Sequence, residues 1–326
     1  MIALIATVLN EGDNIHHLMQ SLLAQTRQPD EIVIVDGGSR DQTAAIIEGY
    51  ADRLPVRVLV EPGCNISRGR NVAIAAAQGD IIAVTDAGVR LTDTWLEALT
   101  QPLLDQPGVQ VASGFFLADP HNTFEAAMGA TVLPLRDEID PATFLPSSRS
   151  VAFRKSAWEA VGGYPEWLDY SEDLIFDLRL KQRYESFAFA PDALVYFRPR
   201  RSLRAFFKQY YLYARGDGKA DLWRKRHAIR YLTYLVAVPL IAVLGLWGHP
   251  AFWLLYLPGA LIYLRQPYQR LSTVLHRLPR THLGDWAYAI ALVPVIRVVG
   301  DIAKMIGYPV GWRWRLRHQP PDWRSL

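Results

Sequence analysis

The sequence predicts an α/β protein: a domain built on a mostly parallel sheet, followed by a C-terminal, membrane-associated helical region. Three observations carry that expectation. In the first third of the 326 residues, short β-branched apolar runs alternate with longer amphipathic ones, the pattern of parallel strands with helices on both faces. Residues 231–264 contain no Asp, Glu, Lys or Arg, too long an apolar run for one helix. Apolar residues make up 50% of the chain and charged ones 21%, rich for a soluble enzyme and poor for a polytopic carrier, so a mixed protein is expected.

In chain order, residues 2–7, 31–36, 56–60, 80–85 and 109–113 read as strands, and 14–25, 41–50, 67–77 and 94–104 as helices. The start, MIALIATVLNEG, has no basic region and meets an acidic residue soon after a short apolar run, so it reads as a first strand and a poor signal peptide. Ligands of such sheets bind at the carboxyl ends of the strands. Three apolar runs end there in polar residues: Thr7 with Asn10 and Glu11, Asp36 in IVIVDGGSRDQT, and Asp86 in IIAVTDAG. The glycine-rich fingerprints of dinucleotide and P-loop sites are missing. A lone Cys64 excludes an internal disulfide and a multi-cysteine zinc site and suits a reducing compartment, and a net charge of +3 gives no argument for nucleic acid.

A division into 1–220 and 221–326 follows from the change of character. Gly248-His249-Pro250 splits the apolar run into segments 231–247 and 250–264, a helical hairpin. Arg224, Lys225, Arg226 and Arg230 flank it on one side and Arg265, Arg270 and Arg277 on the other, which puts both ends in the cytosol. In the third apolar stretch, 286–306, Arg297, Asp301 and Lys304 fall at i, i+4 and i+7 on one face. That stripe predicts an amphipathic helix lying in the interface or packed on the hairpin.

Several polar residues carry two readings from their chemistry alone. Asn10 and Glu11 can read a base edge or cap the next helix, and Asp36, before Gly37 and Gly38, is a ligand group or a strand-end turn. Ser39 and Asp41 suit helix capping. Arg70 stands at a helix start, where the helix dipole favours anions, so it needs a phosphate or a salt bridge. Glu172 and Asp173 open the amphipathic run LIFDLRLKQ as base or as cap.

Four motifs agree in order and spacing: TVLNEGDNI, IVIVDGGSRDQT, SRGRNVAIAAAQGDIIAVTDAG and YSEDLIFDLRL. Across roughly 1–220 the chain resembles the family 2 glycosyltransferases, in particular the membrane-associated bacterial type. The resemblance implies a GT-A fold and inverting transfer of a sugar from a nucleotide-diphosphate sugar to an acceptor hydroxyl or phosphate. It puts Thr7, Asn10 and Glu11 on the nucleotide, Asp36 on base or ribose, and Arg70 and Asp86 at the donor. Asp173 becomes the catalytic base, with Glu172, Arg149, Arg215 and Lys219 as candidates for the acceptor or diphosphate. Asp86 is the first aspartate of the family's D-x-D pattern; the second, a ligand of the divalent ion (Mg or Mn), is Gly88 here. Asp86 then binds the metal alone, or basic side chains neutralise the diphosphate. The region of Gln209 and Arg215 does not reproduce the Q-x-x-R-W of processive relatives, so single-sugar addition is expected. The hairpin implies membrane lipids and a lipid-linked acceptor as partners, and a catalytic domain on the cytosolic side of the inner membrane, in cell-envelope polysaccharide, exopolysaccharide or glycolipid synthesis. Two alternatives stay open: an inactive GT-A-like nucleotide-binding scaffold at the membrane, and a nucleotidyltransferase.

Overall fold

The structure is a computed structural model describing residues 1–324. The chain forms two compact units. The first comprises Met1–Leu117, Leu135–Arg198 and the stretch from Pro321; the second comprises Ala118–Pro134 and Pro199–Pro320.

The first unit is a three-layer sandwich around one eight-stranded sheet, in the order β3-β2-β1-β4-β7-β6-β8-β5. Its strands are β1 (Ile2–Val8), β2 (Glu31–Asp36), β3 (Val56–Val60), β4 (Ile81–Val84), β5 (Val89–Leu91), β6 (Val111–Ala118), β7 (Val151–Arg154) and β8 (Ala188–Phe197). Side chains of a strand alternate between faces, and in β1, β2 and β4 both sets are apolar and buried. Ile2, Leu4, Ile32 and Ile34 pack under α1 (Ile15–Leu23), α2 (Thr43–Glu48) and α4 (Trp95–Asp105). Ala3, Ile5, Val33 and Val35 pack under α3 (Ile66–Ala76), α6 (Lys155–Ala160) and α7 (Glu172–Tyr184).

The sheet is mixed, which corrects the expectation of a mostly parallel one. β1 pairs in parallel with β2 and β4, and β2 with β3, whereas β4–β7, β6–β7 and β5–β8 are antiparallel. The antiparallel half was hidden because β5 has three residues and β8 carries Pro191 and Asp192, which weaken a strand signal. Register in the parallel half sets Val8 opposite Asp36 and Ile5 opposite Val84, so the ends of β1, β2 and β4 open on one edge.

The second unit is helical: α5 (Thr123–Val132), α8 (Leu203–Lys219), α9 (Arg224–Leu232), α10 (Val238–Val243), α11 (Tyr256–Leu275) and α12 (Leu283–His318). The division thus differs from a boundary at residue 220. Helix α5 buries Ala126, Ala127, Met128 and Ala130 against partners, among them Leu271, Val274 and Val293, that lie far downstream. Helices α9 and α10 run as one continuous helix, Arg224–Gly248, long and apolar enough to cross a membrane, with 6% of its apolar window buried. A 3-10 turn, Pro250–Leu255, reverses the chain into α11, and the Tyr256 hydroxyl donates to the Val238 carbonyl at 2.7 Å. The third apolar stretch is longer than 286–306 and belongs to one 36-residue helix, α12. It lies close along α8: a Cβ added at Gly218, Gly307 or Gly311 would run into the backbone of the facing helix.

Candidate active site

The polar residues at the strand ends of the first unit are organised by hydrogen bonds between loops. After β1, Asn10 takes a left-handed backbone (φ 53°); its amide donates to Ser39 Oγ at 2.8 Å, and its Oδ1 accepts from the Arg40 amide at 2.9 Å. The amides of Glu11 and Gly12 both donate to Thr43 Oγ1 at 3.0 Å. Neither Asn10 nor Glu11 caps the helix that follows with its side chain; the Asn10 side chain instead ties its loop to the one after β2. Burial raises the Glu11 carboxyl above its usual range, and the charges of Asp86 and Asp41 push the same way. Thr7 is half-buried one residue before the end of β1.

Asp36 is buried, and its Oδ1 accepts from the amides of Gly38 (3.1 Å) and Ser39 (2.9 Å) and from Ser39 Oγ (2.7 Å). Ser39 therefore fixes Asp36 and does not cap α2. Gly38, at φ 94°, makes the tight turn that this grip requires.

Arg70 settles its own question in favour of a salt bridge. It is fully buried, with Nη1 2.8 Å from Glu172 Oε1 and Nη2 3.0 Å from Asp86 Oδ1. Burial works against its charge, yet Glu172 and Asp86 hold the proton on more firmly than usual. Its guanidinium also lies 5.2 Å from the Tyr164 ring centre, and Tyr164 is pinned through its amide and carbonyl by Asn71. One side chain thus ties the end of β4 to the start of α7. Arg149 faces the other oxygen of Asp86, Nε to Oδ2 3.5 Å, and stacks over Phe197.

Ser171, before α7, is left-handed (φ 64°) and makes no side-chain cap. A non-glycine residue held in that region is strained, and such strain gathers at functional sites. Glu172 is buried, and its carboxyl is raised by burial and by the Asp173 charge, against the pull of Arg70. Asp173 is half-buried, its Oδ1 accepting from the Leu174 amide at 2.8 Å. One turn later, Asp177 is fully buried, its Oδ2 has no hydrogen-bond partner among the described residues, and burial together with Asp173 raises its carboxyl well above the usual range. Sequence reasoning missed Asp177, although its i+4 spacing from Asp173 was a signal; Ser39 and Thr43 as loop ties gave none.

Arg215 and Lys219 belong to the other unit, on α8, where the Lys219 ammonium lies 4.8 Å from the Trp314 ring centre. Among the described residues no three His, Cys, Asp or Glu side chains gather as a metal cage. Asp86 is a single carboxylate, and a Cβ on Gly88 would meet nothing within 4 Å, so the space of the missing aspartate is open. One protein carboxylate is enough for a divalent ion that takes its other ligands from phosphate and water.

The architecture, a mixed sheet between two helix layers with polar groups at the strand ends, is that of the GT-A fold. It matches the solved mannosyltransferase PcManGT from Pyrobaculum calidifontis, in complex with GDP-Man and Mn2+, with a TM-score of 0.56 and 17% identity over 98% of this chain and 87% of that one. The sequence matches the model described as glycosyl transferase family 2 over residues 3–158, and that described as glycosyl transferase family group 2 over residues 81–298. The chain belongs to the family 2 glycosyltransferases. It is 25% identical over 201 residues to the O-antigen chain rhamnosyltransferase WbaN of Salmonella anatum, covering 57% of this chain and 62% of that one. It is 33% identical over 105 residues to the uncharacterized glycosyltransferase YibD of Escherichia coli (strain K12), covering 32% of this chain and 30% of that one. It therefore spans less than two thirds of the length of either relative.

Proposed function

We propose that the protein transfers a single sugar, with inversion, from a nucleotide-diphosphate sugar to a lipid-linked or membrane-proximal acceptor in cell-envelope polysaccharide or glycolipid synthesis. The observation that carries this reading is the fork of Arg70, which joins Asp86 on one arm and Glu172, the neighbour of Asp173, on the other. Donor and acceptor chemistry need fixed relative geometry, and a buried bidentate arginine supplies it.

In this reading Thr7, Asn10, Glu11 and Asp36 bind the nucleoside, and Asp86 and Arg149 face the diphosphate. Asp173 takes the acceptor hydroxyl's proton as its oxygen attacks the anomeric carbon; the bond from that carbon to the diphosphate breaks on the opposite face. Asp86 would hold a magnesium or manganese ion, which would supply charge neutralisation on the leaving diphosphate. Glu172 keeps Arg70 in place, and Arg215 and Lys219 remain candidates for an anionic part of the acceptor. The name of the Salmonella relative supports a polysaccharide of the O-antigen type. The exposed Leu235, Leu240, Leu246 and Trp247 of the Arg224–Gly248 helix support a membrane seat, and the arginines and lysine around it support a cytosolic catalytic unit.

The test is calorimetric titration of the detergent-purified protein with UDP and GDP, each with manganese and with excess chelator, followed by turnover with the donor family so identified. Asp173→Asn is expected to keep nucleotide binding and to lose transfer by about 10²–10⁴-fold. Near-normal turnover in that variant would overturn the assignment of the base.

A further inference from the structure

The stripe Arg297, Asp301 and Lys304 does not face solvent as a charged helix surface. It lines a small polar cavity inside the second unit, about 130 Å³ in volume, walled also by Thr131 of α5, Phe206 and Tyr210 of α8, and Arg270 of α11. Ligand sites for whole small molecules run to roughly 300–1,000 Å³, so this cavity suits a single small group.

Its charge is unbalanced. Asp301 is spent on other partners: its Oδ1 accepts from Arg230 Nε at 2.7 Å, and its Oδ2 from the hydroxyls of Tyr263 (2.6 Å) and Tyr234 (3.2 Å). Arg297 and Lys304 instead rest on rings, Arg297 over Tyr263 (4.7 Å) and Lys304 over Tyr210 (4.8 Å). Arg297 Nε is buried with no hydrogen-bond partner among the described residues. A buried donor left unpaired is costly; the carboxylates that act on Lys304, Asp301 and Asp217, are hydrogen-bonded to Arg230 and His227, and two cations at the wall of one cavity are then the complement of a small anion. A guanidinium beside an ammonium suits a tetrahedral oxyanion carrying more than one charge.

We infer that this cavity is an anion site for one phosphoryl group, with Arg297 and Lys304 as its main ligands and Arg270 at its wall. The group is either free phosphate or the phosphomonoester head of a lipid. The inference concerns binding in the helical unit and stands whether or not the transfer reading above holds.

The experiment uses the full chain in detergent and follows its melting temperature with two probes: inorganic phosphate against chloride at matched ionic strength, and phosphatidate against phosphatidylcholine doped into the micelles. Stabilisation by phosphate, weakened about tenfold in apparent affinity by Lys304→Gln or Arg297→Gln and kept by Lys304→Arg, supports a free-anion site. Stabilisation by phosphatidate alone, lost in the same variants, supports a headgroup site. If the glutamine variants fail to fold, the wild-type protein still decides through saturation-transfer NMR on the phosphorus of each probe. No stabilisation or contact with either probe, or stabilisation indifferent to the variants, overturns the inference.

Discussion

A charge cluster in each unit turns inwards, and the two are built with opposite excess. In the first unit a single guanidinium, Arg70, serves Asp86 and Glu172, with Asp173 and Asp177 in its field. In the second, a single carboxylate, Asp301, serves Arg230 and two tyrosines, while Arg297 and Lys304 rest on rings. Charge buried with too few partners has to be neutralised, and the two signs do it differently. Asp177, a surplus carboxyl, keeps its proton, as burial favours; a surplus guanidinium cannot shed its own and calls for an anion, while burial pushes the Lys304 ammonium down to about 8.

Arg70→Met leaves Glu172 and Asp86 without their shared partner, and is expected to cost about 3–5 kcal/mol of stability in denaturant titration and to abolish transfer. Loss of transfer with unchanged stability would mean that Arg70 is no strut. Asp301→Asn is the matching cut in the second unit: it strands Arg230 and weakens two tyrosine hydrogen bonds, at an expected cost of about 1–3 kcal/mol with nucleotide binding intact.

Asp177→Asn sharpens the account of the acidic side. An ordinary aspartate releases its proton near pH 3.8, whereas folded Asp177 holds it well above that, so folding takes up a proton over that window. Its contribution to stability therefore falls as pH rises from about 4 until the folded carboxyl itself ionises. The asparagine variant lacks that slope: it should melt above the wild type at neutral pH, with the gap closing towards pH 4. Equal melting curves across the range would mean that Asp177 has a partner in the folded state. Gly88→Asp has the smallest expected effect on folding, within about 0.5 kcal/mol, because its new Cβ meets open space. It should make nucleotide binding more sensitive to chelator than in the wild type.

Much of the strand-end cluster of the first unit was legible because it depends on local rules. The runs ending at Thr7, Asp36 and Asp86 alternate two apolar faces, and a strand buried on both faces reads as a continuous apolar stretch. The segments broken at Gly248-His249-Pro250 follow from chain-breaking residues. Arg149 was another matter: in PSSRSV nothing distinguished it from a surface arginine, and only β7 pairing beside β4 brings it to Asp86.

By itself the sequence determined the order of strands and helices over the first third of the chain, the polar strand ends and the family, since these rest on periodicity, turn chemistry and motif spacing within a few dozen residues. Tertiary structure decided what could not be counted along the chain. It turned half of the sheet antiparallel and assigned α5 to the helical unit. It gave Arg70 to Asp86 and Glu172, the latter 102 positions away, and it folded a charged stripe inwards around a cavity. The physical reason is that a buried charge takes whichever partner the packed core brings within about 3 Å, and sequence separation does not enter that choice.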